Sequence, residues 1–150
     1  MSKLRVFVSS VQKELELERA AIATIISTDP FLLKHCEAVL FEQEAPPPHP
    51  TPQPYLAALK GCSIYLLLIA QEYGRPDGDL SATHHEYRLA QQMKLPTLVF
   101  VKGRGAISRE AKTEALLAEI KKANHTYKRF HDREDLKPEV QRALLRTLKD

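Results

Sequence analysis

Residues 63–70 read Ser-Ile-Tyr-Leu-Leu-Leu-Ile-Ala, an almost unbroken apolar run. A half-exposed strand would alternate apolar and polar positions. A run without alternation suits a strand whose two faces are both covered, as in a parallel sheet layered between helices. Seven apolar residues are far too few to cross a bilayer, which takes about 20 in a helix. This run therefore predicts the central strand of an α/β domain.

The rest of the chain alternates in step with that expectation. Residues 4–8 form a β-branched strand ending at Ser9-Ser10. Either serine can cap the next helix, expected over about 11–26 with Val11, Leu15, Ile22, Ile25 and Ile26 buried. Glu18 intrudes on that apolar stripe, and Arg19 sits at its margin. Strands are expected at 36–41, 97–101 and 126–130, the last more polar and suited to an edge. Helices are expected at 53–60, from about 82 to 93, and at 108–123 and 134–148. Five β-α units in this order favour a mostly parallel sheet with helices on both faces, a three-layer α/β fold. Residues 45–54 hold more than half of the ten prolines, and predict a stiff extended loop at the ligand-binding edge rather than a linker.

A chain of 150 residues, 43% hydrophobic and 27% charged, suits a single soluble domain. With no signal-peptide core at the start and two cysteines, Cys36 and Cys62, lacking ligand spacing, reduced thiols in a cytoplasmic protein are expected. Of the net charge of +3, residues 121–150 carry nine Lys/Arg against five acids, hence +4. Such mixed charges along a helix describe a solvated face, so direct nucleic-acid binding is disfavoured.

Glu86 is the residue that departs from the pattern. Tyr73-Gly74-Arg75-Pro-Asp-Gly-Asp-Leu-Ser81-Ala-Thr83-His84-His85-Glu86-Tyr87 reads as a loop entering a helix. Helical spacing puts Glu86 on the apolar face with Ala82, Leu89, Ala90 and Met93, about one turn in. Helices that follow parallel strands begin at the carboxyl edge of the sheet, where ligands bind. A half-buried carboxylate there has a raised pKa and can serve chemistry or ribose recognition. The competing reading is a capping box from Thr83 to Glu86, with Ser81 as a rival cap. Both stand on the sequence alone.

Several chemistries are excluded or weak. The phosphate loops of nucleotide triphosphatases and dinucleotide dehydrogenases are missing, since the first strand runs into Ser9-Ser10. A phospho-receiver lacks its acceptor, because the third strand ends Ile69-Ala70-Gln71. Lys102-Gly103-Arg104-Gly105 is a weak anion-turn signal. His84 and His85 point about 100° apart on a helix and cannot readily share a metal ion, so none is expected. As general bases they compete with the ordinary expectation of exposed helix histidines. The polar groups that can converge at the carboxyl edge are Ser9, Ser10, Glu42, Tyr73, Arg75, Ser81 and Glu86. They suit a ribose and a phosphate, with Glu86 facing the hydroxyls or a developing cation. The alternative is a plain turn at Tyr73-Gly74 with Arg75 paired to Asp77 or Asp79.

Val6-Phe-Val-Ser-Ser10, Leu15 with Glu18-Arg19, residues 64–69 with Tyr73-Gly74, Ser81-Ala-Thr-His-His-Glu86-Tyr87 and Lys94-Leu-Pro-Thr-Leu-Val-Phe-Val101 resemble, in that order, the bacterial domain-of-unknown-function family numbered 4062. The resemblance spans about residues 4–102. That family is similar to Toll/interleukin-1 receptor (TIR) domains and nucleoside 2-deoxyribosyltransferases. It implies a flavodoxin-like sheet of order 2-1-3-4-5 and a place at the N-terminus of a longer bacterial protein. It implies Glu86 as the glutamate for N-glycosidic cleavage; Ser9, Ser10, Tyr73, Gly74, Arg75 and Ser81 are then expected around a nucleotide-like ligand. NAD or a nucleoside is then a substrate, with no resident cofactor. TIR-like relatives also imply signalling through self-association or a partner protein, with or without catalysis. One departure is His84, where the family pattern Thr-Glu-x-Glu-Tyr carries an acid.

Overall fold

The computed structural model describes residues 3–40, 54–103 and 107–149. Glu42, residues 45–53 of the proline-rich loop, and Arg104 and Gly105 of the basic glycine turn lie outside the described residues. The main sheet contains β1 (Leu4–Ser9), β2 (Cys36–Val39), β3 (Ile64–Ile69), β6 (Thr97–Lys102) and β7 (Tyr127–Phe130). Their order is β2-β1-β3-β6-β7, with every neighbouring pair parallel. Taken as first to fifth strands, they have the expected 2-1-3-4-5 order, with the apolar run at the centre. An antiparallel hairpin, β4 (Pro76–Asp77) and β5 (Leu80–Ser81), lies apart from this sheet.

All six residues of β3 are buried. Strand alternation sorts its side chains onto two faces. Ile64, Leu66 and Leu68 join Val6, Val8 and Phe100 beneath α1 (Glu16–Thr28), α2 (Pro30–His35) and α6 (Arg133–Lys149), which contribute Ile22, Ile26, Leu32, Val140 and Leu144. Tyr65, Leu67 and Ile69 join Phe7, Val99 and Val101 beneath α3 (Pro54–Lys60), α4 (Ala82–Gln92) and α5 (Ala111–Lys122), which contribute Leu59, Tyr87, Ala90, Leu116 and Ile120. The result is the three-layer flavodoxin-like arrangement. No helix among the described residues is long and apolar enough to cross a membrane.

Three local expectations change. The first helix begins at Glu16 rather than near Val11, because residues 12–15 form a turn and Leu15 is its N-cap without a side-chain cap bond. Neither Ser9 nor Ser10 caps it, since both hydroxyls engage other groups. Helix α2 went unanticipated, although Asp29-Pro30 carries the signal: the Asp29 carboxylate accepts from the Phe31 and Leu32 N–H groups, and proline takes the first turn. For α4 the cap is Ser81, whose Oγ accepts from His84 N at 3.2 Å. The Thr83 capping box is therefore not formed, and Glu86 lies inside the helix.

The basic C-terminal segment is a mixed-charge surface, with Lys137 and Arg133 near Glu134, and Lys128 and Arg142 near Glu139. Exposed pairs of this kind contribute little to stability.

Leu66 is fully buried in the central strand. Leu66→Ala is expected to cost about 2–5 kcal/mol in urea unfolding, from lost transfer energy and a residual cavity. Ser81→Ala is expected to cost about 0.5–2 kcal/mol through the lost α4 cap. An unchanged midpoint for Ser81→Ala would mean that the cap contributes nothing.

Candidate functional site

Ser9 is the last residue of β1, and alternation places it on the same face as Phe7, beneath α4. Its hydroxyl donates to Glu86 Oε1 at 2.6 Å and accepts from the Tyr65 hydroxyl at 2.9 Å. A strand end, the central strand and a helix thus meet at one carboxylate. Glu86 is 7% exposed. No second hydrogen bond to it is found among the described residues, and none of their buried side-chain polar atoms lacks a partner. Oε1 is therefore tethered, while Oε2 has no hydrogen bond among the described residues.

Burial pushes the Glu86 carboxyl up to about 7, against the opposing pull of the Ser9 hydrogen bond and the Arg19 charge. Arg19 reaches the site from α1, where it is 3% exposed rather than marginal, and its Nη1 donates to Val8 O at 3.2 Å and Ser10 Oγ at 3.0 Å. The adjacent serines thus face opposite layers, Ser9 toward α4 and Ser10 toward α1. Tyr65 is raised by burial first and by the Glu86 charge second. Tyr55 on α3 is also raised, by burial, then by its hydrogen bond to the Asp77 carboxylate, with Glu86 adding to the effect. A carboxyl near neutrality can hold or release a proton at working pH, and this suits it to acid–base or electrostatic work.

The other expected ligand residues are arranged differently. Tyr73 is buried, and its hydroxyl meets His84 Nδ1 at 2.7 Å instead of Glu86. His84 Nε2 lies 3.0 Å from Glu119 Oε1 on α5. A carboxylate only accepts, so Nε2 carries a proton toward Glu119; in the tautomer protonated there alone, Nδ1 accepts a hydrogen bond from the Tyr73 hydroxyl. His84 is thus a buried link and not an exposed helix histidine. Burial alone would raise Glu119, but hydrogen bonds from Arg88 and His84 overcome it and hold the carboxyl below its ordinary value. The backbone N–H groups of Gln71 and Glu72 donate to the Glu14 carboxylate, and that of Tyr73 to Glu110. Gly74 turns the chain with φ of +94°, a conformation that favours glycine. Arg75 is exposed, and Ser81 is used as the α4 cap. Lys102 pairs with the buried Glu18 carboxylate at 2.6 Å, and the Gly103 N–H donates to Phe130 O, so these two members of the basic turn serve the fold.

Two clefts border these layers. One of about 10 Å³ is lined by residues including Tyr73, Thr83 and Thr113, and is large enough for about one water. The other, about 290 Å³, lies between α1 and α6 and includes Asp29, Lys137 and Gln141. Glu86 lines neither. Tyr65, Tyr55, Asp77 and Arg19 were not marked as site residues in the sequence. Only Arg19, at the margin of the α1 apolar stripe, was a readable sign; the others depend on which strand and loop pack against α4.

The raised Glu86 value makes stability depend on pH. Below about 4.5, the ordinary carboxyl value, both folded and unfolded chains keep the proton. Between 4.5 and about 7 the unfolded chain ionises first, so folding loses stability as pH rises. Glu86→Gln stays neutral throughout. Its stability relative to the native protein is expected to rise across that window by on the order of a few kcal/mol, measured by urea titrations at several pH values. A constant difference would contradict the raised value.

No curated protein matches the chain. Among solved structures it is similar to a crystal structure of a conserved protein from Enterococcus faecalis V583, with 12% identity and a TM-score of 0.49, covering 95% of this chain and 99% of that one. The sequence pattern of the family described as Domain of unknown function (DUF4062) matches residues 5–145, which takes in all five strands of the sheet save Leu4 and all six helices save the last turn of α6. The chain therefore belongs to the DUF4062 family.

Proposed function

We propose that this domain is a TIR-like signalling or effector domain that binds a nucleotide-like ligand at the carboxyl edge of the sheet and cleaves an N-glycosidic bond through Glu86. The observation that supports this reading most is a nearly buried glutamate with one oxygen tethered to Ser9, the other without a hydrogen bond among the described residues, and a proton affinity near neutrality. In NAD the bond between the ribose anomeric carbon and the nicotinamide nitrogen breaks, and the electron pair leaves with the ring, which becomes neutral. The ionised Glu86 carboxylate stabilises the positive charge left on the sugar. Water adds to the anomeric carbon, and its surplus proton passes to solvent or to the carboxylate. The ring nitrogen of nicotinamide already carries the charge, so no acid is needed for departure; a deoxynucleoside base would need one.

A second reading is a non-catalytic module that self-associates or recruits a partner within a multidomain bacterial regulator. It is favoured by the engagement of Tyr73, Ser81 and His84 in the fold itself, through the Tyr73–His84–Glu119 hydrogen bonds and the α4 cap. Direct nucleic-acid binding by this domain belongs to neither reading.

Product analysis with NAD and with deoxynucleosides, on the domain and on the full-length protein, separates the two. The enzymatic reading expects free nicotinamide or free base from the native protein. It expects at least a 100-fold loss in Glu86→Gln with the fold intact, the split that marks a group acting in the transition state. No turnover in any form of the native protein would leave the interaction module.

A further inference from the structure

The hydrogen-bond chain that ends at Glu86 has a fixed direction, and that direction bears on how the carboxylate is presented. The Tyr65 hydroxyl has one proton and gives it to Ser9 Oγ at 2.9 Å. The Ser9 hydroxyl also has one proton, and gives it to Glu86 Oε1 at 2.6 Å. Tyr65 and Ser9 are 0% and 1% exposed, so water does not compete for either bond. Each donor therefore removes a rotational freedom from the next group along. A serine hydroxyl alone can turn toward several acceptors; with one lone pair occupied by Tyr65, its proton is aimed at Glu86.

We propose that Ser9 and Tyr65 act as a positioning relay that holds Glu86 Oε1 and presents Oε2 alone as the reacting oxygen. Neither residue touches the ligand in this arrangement; both act through Glu86. The relay rests on the role given to Glu86 above, and names how that residue is oriented. Its three parts come from three elements. Ser9 stands where β1 ends, Tyr65 rises from β3 beside it in the sheet, and Glu86 descends from α4. Among the described residues, the other ionisable groups that act on Glu86 or feel it are Arg19 from α1, whose positive charge favours the carboxylate, and Tyr55 from α3, which feels its negative charge. Neither hydrogen-bonds to Glu86 among the described residues, so the relay is the directional contact. A donor to an ionised oxygen favours the ionised form, and its removal leaves burial less opposed.

The test is a titration of the Glu86 side-chain carboxyl by carbon-13 NMR, with Glu86→Gln identifying the signal. Ser9→Ala is expected to move the midpoint upward by about 1 unit, since a hydrogen bond to a charged group is of that order. Tyr65→Phe keeps the ring and should move it upward by a smaller amount. Ser9→Thr restores the hydroxyl and should return the midpoint toward the native value. An unshifted midpoint in folded Ser9→Ala, or in Tyr65→Phe should the alanine variant not fold, would overturn the relay. So would a Ser9→Thr protein that titrates like Ser9→Ala. Where the native protein turns over substrate, Ser9→Ala should lower kcat with little change in KM, because orientation is lost and binding is kept. Absence of native turnover would remove the catalytic reading of Glu86, while the titration still decides whether Ser9 and Tyr65 control its carboxylate.

Discussion

The double-sided burial of β3 is the constraint on which the rest of the structure depends. A strand with no polar position must be roofed on both faces, and neither set of helices alone can do that. Once both layers are in place, the carboxyl ends of β1 and β3 lie at the edge where α1 and α4 approach from opposite sides. Polar groups at that edge are drawn inward by the same packing that buries the core. Glu86, Ser9, Arg19 and Ser10 are all at or below 7% exposure although each is polar. Burial without partners would be costly, and every one of them has a partner.

This explains which parts were legible in the sequence. The apolar run of β3 announced its central place, and the strand–helix alternation gave the layers, because periodicity reports burial directly. Glu86 was visible as an acid on an apolar helix face. Ser9 was among the groups expected to converge with it at the carboxyl edge; which of them it meets was not legible, since the contact with Ser9 spans 77 positions and depends on which strand end lies beneath α4. The capping choice at α4 was ambiguous because Ser81 and Thr83 both offer a hydroxyl two positions apart; the backbone at Ser81, extended with its side chain turned to His84, resolves it. Glu18 and Arg19 looked misplaced on α1 for a good reason. Each answers a group outside its helix, Lys102 in one case and Val8 with Ser10 in the other.

His84 stands where the resemblance implies an acid, and the fold gives the imidazole two partners. An acid at that position would face the Glu119 carboxylate, and the imidazole instead bridges Glu119 and the Tyr73 hydroxyl. His84 thereby links the loop after β3 to α4 and α5 in one hydrogen-bonded line, joined at Glu119 by Arg88. Its effect is structural connection beside the Glu86 site, rather than a second acid within it.

The carboxylates that hold residues 71–73 have a mechanical consequence. Glu14 precedes α1 on one side of the sheet, and Glu110 caps α5 on the other, so the segment between them is a strap across the mouth of the fold. Sliding one helical layer against the other pulls on that strap before it disturbs the core. A bond from an N–H group to a carboxylate is short in range and directional, so it either holds or lets go. Widening of this edge would therefore proceed as a step between a latched and an unlatched form, not as gradual breathing.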